Sequence, residues 1–303
     1  MTAGVFITLI GACGGGGGSS SPGGGVPLPV PIVDAIRTES LKFGQPSQFV
    51  VTGSNLNGTV TPRLGGSGVC TRLAAQDQIT ATELRIVCRP DELGTLQLAI
   101  VSNSSGETLK IHAETIEEPK VRFSVGTGAT TREFEITLRA GLSGSIQRAW
   151  VDDFLYYVRS GFYDGTIFHS VNTGSVIEGG CYDTSLAQKR SASLAPVTPL
   201  VPQPLVVPMT NVAYSLSMSP TACGTGQLSA FALNLADNSS GKIVDLDARK
   251  YVAVGSYDGT DAAVRNAIYQ ISSLTPKGGT EQSLPNSPAD RAAGTIRSLA
   301  QTR

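Results

Sequence analysis

The sequence predicts a mainly β protein in two folded parts, an N-terminal β-sandwich followed by a β unit that carries two helices. Three observations predict it. A length of 303 residues suggests two domains rather than one. Between Ile32 and Glu118, short apolar stretches are punctuated by Gly, Asn, Asp and Pro, the pattern of a small sandwich. From Pro119 to Arg303, strand-like runs are interrupted by two segments with helical spacing.

The elements follow in order. Val5–Ala12 is mostly apolar and ends in Gly11-Ala12 before Cys13. This resembles a bacterial lipoprotein signal, in which residues 1–12 are removed and the cysteine is lipidated. The resemblance implies a lipid-anchored protein of the cell envelope, facing the periplasm. Gly14 after the cysteine, rather than Asp, leans by the same analogy towards the outer membrane. Residues 13–31 are nearly all Gly, Ser and Pro without charge, and read as a flexible tether. The glycine run Gly14–Gly18 follows no strand and opens no helix, so it is not a phosphate loop.

In the first folded part the expected strands are Gln48–Thr52, Glu83–Cys88, Gly94–Val101 and Thr108–Ala113. Turns are expected at Gly53-Ser54-Asn55, Asn57-Gly58 and Arg89-Pro90-Asp91. Phe49–Leu56, FVVTGSNL, resembles the opening of immunoglobulin-like TIG/IPT domains. No cluster of acids, histidines or aromatics marks a site here, and a spacer role is expected. Without Cys13 four cysteines remain: Cys70, Cys88, Cys181 and Cys223. An even count in an exported chain suggests two disulfides. Of the three possible pairings, Cys70 with Cys88 and Cys181 with Cys223 keeps each bond inside one part; buried free thiols are the alternative.

In the second part, Lys120–Leu138 reads as an opening hairpin. Trp150–Val158, WVDDFLYYV, has apolar residues at helical spacing along one face. Asp152-Asp153 on that helix are expected to be solvated, and Tyr156-Tyr157 to pack as rim and core. Gln188–Pro208 holds Pro196, Pro199, Pro202, Pro204 and Pro208, so it reads as an extended loop rather than a central strand. Asn211–Ser219 and Leu228–Leu235 read as strands, Asp261–Ile271 as the second helix, and Ile296–Ala300 as a closing strand.

The most informative run is Phe162–Cys181, FYDGTIFHSVNTGSVIEGGC. It resembles the signature of the cyclophilins, the peptidyl-prolyl isomerases, which reads close to FYDGTIFHRVIPGFVIQGG. Two more motifs follow in the family's order. SAFALNLADN at Ser229–Asn238 is similar to SQFFINLVDN, and LDARKYVAVG at Leu246–Gly255 to LDGKHVVFG with one residue inserted. The resemblance covers about 180 residues and implies a closed β-barrel with two helices for residues 119–303.

The resemblance also implies a chemistry, and this chain departs from it. Rotating an X-Pro bond means crossing a barrier of ~18–20 kcal/mol set by amide resonance. The family lowers it with an apolar cup for the proline ring and a cationic donor to the prolyl nitrogen, which acts on the transition state. Ser170 stands where the family keeps its arginine. Ser175 and Val176 fall at two walls of the cup and Ala232 at a third, while Phe231 matches the aromatic before it. Ala230 replaces a glutamine that binds substrate backbone, and Glu178 replaces another glutamine. Asp245 falls at a pocket aromatic, Lys250 at a histidine, and Leu246 is retained. The implied groove therefore comprises Phe168, His169, Ser170, Ser175, Val176, Glu178, Ala230, Phe231, Ala232, Leu246 and Lys250. Its expected partner is extended or proline-containing polypeptide, with weak or lost catalysis; Arg249 or Lys250 is the alternative source of a cation. A working isomerase assisting exported proteins, or a structural envelope component, are the competing readings.

Other chemistries find little support. Net charge is −1, without the broad positive field that a nucleic-acid binder needs. Only His112 and His169 exist, neither with metal-ligand spacing, so neither a metal nor a cofactor is expected. His169 and Ser170 are adjacent on a predicted strand and face opposite ways, so they cannot form a nucleophile–base pair.

Overall fold

The computed structural model describes residues 29–128, 131–141, 146–172, 174–189, 210–220, 229–242, 244–274 and 287–303. The signal, lipidation site and most of the tether expected at residues 1–31 lie outside the described residues, as does nearly all of the proline-rich loop.

Residues 32–116 build two facing sheets. One holds β1 (Ile32–Glu39), β2 (Ser47–Ser54), β6 (Glu83–Glu92) and β4 (Val69–Arg72) in that order, with β5 (Gln78–Ile79) also on β6. The other runs β3 (Val60–Gly66), β7 (Gly94–Ser102), β8 (Thr108–Ile116). Alternation explains the packing: Phe49, Val51, Leu84 and Ile86 of the first sheet and Leu96, Leu98 and Ile100 of the second are fully buried in the core. Cys70 and Cys88 form a disulfide that joins β4 to β6. Of the second expected pair, Cys181 ends up in a strand of the barrel and Cys223 lies outside the described residues.

The turn expected at Arg89-Pro90-Asp91 is instead strand, since β6 runs on to Glu92. The proline is tolerated because pairing with β2 stops at Cys88, where Ser47 is the last partner, and β4 has a register shift beside Cys70. The freed Pro90 carbonyl accepts from the Gly44 amide at 2.7 Å.

The second part is an eight-stranded, nearly closed β-barrel. Its order is β11 (Thr166–Asn172), β12 (Val176–Asp183), β14 (Phe231–Asn234), β13 (Ser215–Met218), β15 (Val252–Ser256), β10 (Arg132–Leu138), β9 (Lys120–Val125) and β16 (Ile296–Gln301). An isolated bridge from Ile167 to Thr295 draws the ends together. Helix α1 (Ile146–Arg159) buries Trp150, Val151, Phe154, Leu155 and Val158, the face that its spacing marked. Helix α2 (Ala262–Ser272) is capped by Asp261, whose carboxylate accepts from the Ala263 and Val264 amides. A third helix, α3 (Pro288–Ala293), adds to the two expected; Ser287 caps it and proline opens its first turn. Asp153 is not solvated as expected. It is half-buried, its Oδ2 has no partner, and burial with Asp152 alongside pushes its carboxyl up to about 7.

Phe231 anchors the barrel core. Its ring lies 5.4–6.0 Å from those of Phe123, Phe154, Tyr163 and Phe168. Gly179 and Gly180 make room for it, since a Cβ on Gly179 would sit 3.0 Å from the Phe231 ring. Gly180 also adopts φ 89°, where other residues are strained.

The sandwich is docked on the barrel through Phe43, which is buried beneath the Arg148 guanidinium, 4.2 Å from the ring centroid. The Phe43 carbonyl accepts from Arg159 Nη2 at 2.7 Å and from Gln301 Nε2 at 2.9 Å.

Candidate functional site

The site is the outer face of four neighbouring strands, β11, β12, β14 and β13. Register sorts the side chains. Phe168, Val171, Ile177, Phe231, Leu233, Leu216 and Met218 belong to the barrel core. Ser170 pairs with Glu178, Glu178 with Ala232, and Ala232 with Ser217, which makes one row across the opposite face. A bulge between Phe168 and Ser170 makes this possible. Without it, Ser170 would share the inward face of Phe168; the extra residue re-aims it.

Over this row folds the segment from Asn238 to Tyr251. Val176, Ala232, Val244 and Leu246 form a small apolar cluster apart from the main core, with Tyr251 packed against it. Ala232 is 0% and Val176 6% exposed, so little of this apolar surface is open to a ligand. A buried polar net holds the segment down. Asn234 Nδ2 donates to Ser215 Oγ at 2.9 Å and to Ser217 Oγ at 3.0 Å, and Asn234 Oδ1 accepts from Asn238 Nδ2 at 2.7 Å. Ser175, expected as a cup wall, donates its hydroxyl to Asn238 Oδ1 at 2.8 Å. It fixes the loop rather than lining a hollow.

The remaining expected residues divide plainly. Ser170, Val176, Glu178, Ala232 and Leu246 come together at the outer face. Phe168 and Phe231 do not, since both rings are fully buried inside the barrel. Ala230 packs with Cys181 and against Tyr182 in a separate small cluster. His169 packs edge-on to Tyr182 at 5.1 Å, and its buried Nδ1 has no partner. Burial lowers its pKa, against the pull of Glu178 and a ring hydrogen bond to the Ile167 carbonyl. Asp245 turns back into its own loop and accepts from the Gly241 and Ala248 amides, each at 2.8 Å.

Lys250 is exposed, at φ 66°, and the next residue turns inward instead. Tyr251 Oη donates to Glu178 Oε1 at 2.5 Å and is also hydrogen-bonded to Ser219. Burial first, then the Glu178 charge, raises its pKa, so the phenol keeps its proton. Tyr251 is the residue of this candidate face that sequence reasoning missed. Counting LDARKYVAVG back from Gly255, with the inserted residue placed earlier in the loop, would have found it. Val244, not Asp245, packs in the apolar cluster. Arg249, the other possible cation, is exposed beside Lys250.

Part of the chain is similar to known proteins. Residues 132–278 match the family "cyclophilin type peptidyl-prolyl cis-trans isomerase/CLD". Peptidyl-prolyl cis-trans isomerase A of Dickeya dadantii is 35% identical over 89 residues, 29% of this chain and 44% of that protein. The cyp18 isomerase of Streptomyces antibioticus is 37% identical over 89 residues, 50% of its length. The chain thus spans about half the length of these two relatives. A peptidyl-prolyl cis-trans isomerase of Acinetobacter baylyi is 29% identical over 147 residues, 48% of this chain and 73% of that protein. Among solved structures, a Cryptosporidium parvum cyclophilin aligns over 62% of this chain and 99% of its own, with 15% identity and a TM-score of 0.37. The Mimivirus cyclophilin aligns over 55% and 84%, with 20% identity and a TM-score of 0.37.

Proposed function

We propose that this chain, whose residues 132–278 are a cyclophilin-type peptidyl-prolyl isomerase domain, holds extended or proline-containing polypeptide and isomerises it slowly at best. One observation carries the reading. In the outer row of the barrel, Ser170 faces Glu178, so the place of the family's cationic donor holds a short neutral side chain opposite an acid. Losing one well-placed transition-state donor typically costs ~10²–10³ in rate. The near-complete cover of Val176 and Ala232 supports the same conclusion, because a proline ring needs open apolar surface.

What remains on this face suits binding. Glu178 is partly exposed and carries a carboxylate fixed by Tyr251, so it favours peptides with a cationic residue near the proline. The test is an NMR titration with an N-acetylated Lys-Ala-Pro-Ala peptide and its Glu-Ala-Pro-Ala counterpart. Shifts at Glu178, Ser170 and Ala232 with the lysine peptide are expected, with no line broadening from fast isomer exchange. Rapid cis–trans exchange cross-peaks at catalytic protein concentration would refute the slow-turnover reading.

The same proposal extends to location: a lipid on Cys13 tethers the chain to the bacterial envelope. Labelling with a radioactive fatty acid tests it; a Cys13→Ser chain that keeps the label would overturn it.

A further inference from the structure

A cavity of about 250 Å³ lies away from the Ser170 row, between α2 and the turn that joins β11 to β12. Its walls are largely apolar: the rings of Tyr214, Tyr257 and Tyr269 with Leu235 and Ile268. One charged group, Arg265, enters the lining. We infer that this cavity binds the carboxylate of a side-chain-sized apolar acid, either a free small molecule or the C-terminal residue of a polypeptide.

The aromatic wall is built rather than incidental. Tyr214 adopts φ 70°, a conformation costly for an aromatic residue. Two contacts hold it there. Its ring packs edge-on to Tyr257 at 5.6 Å, and Gly259 lies so close beneath it that a Cβ would come within 2.4 Å. Tyr257 is fixed in turn, since its hydroxyl donates to the Asn234 carbonyl at 2.8 Å and its amide to the Tyr214 carbonyl at 3.0 Å. Tyr214 and Tyr269 remain 40% and 67% exposed, so the mouth is open and aromatic.

Charge selects the ligand class. Many arginines of this chain are engaged: Arg72 with Asp77, Arg148 with Asp152, Arg159 with Gln301. The Arg265 guanidinium makes no hydrogen bond or ion pair with any described residue. The nearest acid along the helix, Asp261, uses its carboxylate to cap α2. An exposed guanidinium with unfilled donors at the rim of a wall of apolar rings suits one planar monoanion, which it can grip with two parallel hydrogen bonds. The volume sets the size. It is below the ~300–1,000 Å³ of drug-sized sites, so it admits one aromatic or branched side chain and its carboxylate.

The probes are N-acetyl-phenylalanine, its amide, and an N-acetylated pentapeptide ending in phenylalanine as free acid or amide. Binding to the full chain is followed by chemical shifts of Tyr214, Tyr269 and Ile268. Free acids are expected to bind at least tenfold more tightly than amides, and Arg265→Gln to erase that difference while Arg265→Lys keeps part of it. Preference for N-acetyl-phenylalanine assigns a small-molecule acid, and preference for the pentapeptide acid assigns a polypeptide C-terminus. Equal affinity for acid and amide, unchanged affinity in Arg265→Gln, or no shifts at millimolar probe overturns the inference. Unaltered shifts at the remote Phe231 and Phe123 verify that each variant is folded.

Discussion

On the proposed reading, placing an arginine at Ser170 should fail by itself to give fast turnover, and the reason is quantitative. Ser170 and Glu178 are direct partners in the β11–β12 ladder, so their Cβ atoms lie about 4.5–5.5 Å apart. An arginine placed at 170 would reach the Glu178 carboxylate. At ~4 Å and an effective dielectric near 20, that attraction is about 4 kcal/mol. A transition-state donor is worth about 2.7–4 kcal/mol. Capture by the carboxylate therefore offsets most of what the guanidinium could supply to a prolyl nitrogen. Ser170→Arg is expected to raise kcat/KM on a prolyl peptide less than tenfold. Ser170→Arg with Glu178→Gln removes the trap and is expected to exceed the single variant at least tenfold, short of full recovery because Ala232 and Val176 offer a small, covered cup. The assay is protease-coupled isomerisation at low salt, with Glu178→Gln alone as the control. A single variant as fast as the double would refute the reasoning, as would a double variant no faster than the parent.

Three further outcomes follow from the packing and the charges. Phe231→Ala removes the ring shared by four aromatic neighbours and should cost about 3–5 kcal/mol, read by urea unfolding through the fluorescence of Trp150; a loss under 1 kcal/mol contradicts its place in the core. Cys70→Ser with Cys88→Ser opens a bond of sequence separation 18, which a chain-entropy treatment values at about 3 kcal/mol; an unchanged circular-dichroism midpoint for β structure argues against it. Asp153 is raised from 3.8 to about 7 by burial, so the native chain holds a proton that the unfolded chain has released across that window. Stability should fall as pH rises from about 4 to about 7, and Asp153→Asn should flatten that slope; an identical slope in the variant removes Asp153 as its source.

The barrel was legible because its determinants are local and ordered. FEITL alternates, WVDDFLYYV carries one apolar face, and the glycines of the Phe162–Cys181 run leave space for Phe231. The sandwich was legible where apolar residues alternate or cluster along a strand, even in Thr108–Ala113, whose side chains are exposed or half-buried. β1 was missed because its side chains are mostly half-buried or exposed, so no strong alternation marks it. Pro90 misled because proline reads as a stop, whereas here it follows the last β2 partner.

At the site, identity at position 170 was legible and neighbourhood was not. Whether Phe168 or Ser170 faces outward depends on a bulge, which is a register property that no residue type announces. The inserted residue near Arg249 moved the inward-facing position from Lys250 to Tyr251. A left-handed backbone at Lys250 decides that, and a single sequence does not print it. Two adjacent acids read as a solvated helix face, but only Asp152 is exposed, where it pairs with Arg148.

The most direct measurement is the rate at which the unmodified full chain isomerises a chromogenic Ala-Pro peptide, set beside an ordinary cyclophilin in the same buffer. With Ser170 facing Glu178, kcat/KM should lie at least a hundredfold below the comparison enzyme. A rate within tenfold of it would contradict the claim that the cation is what this site lacks.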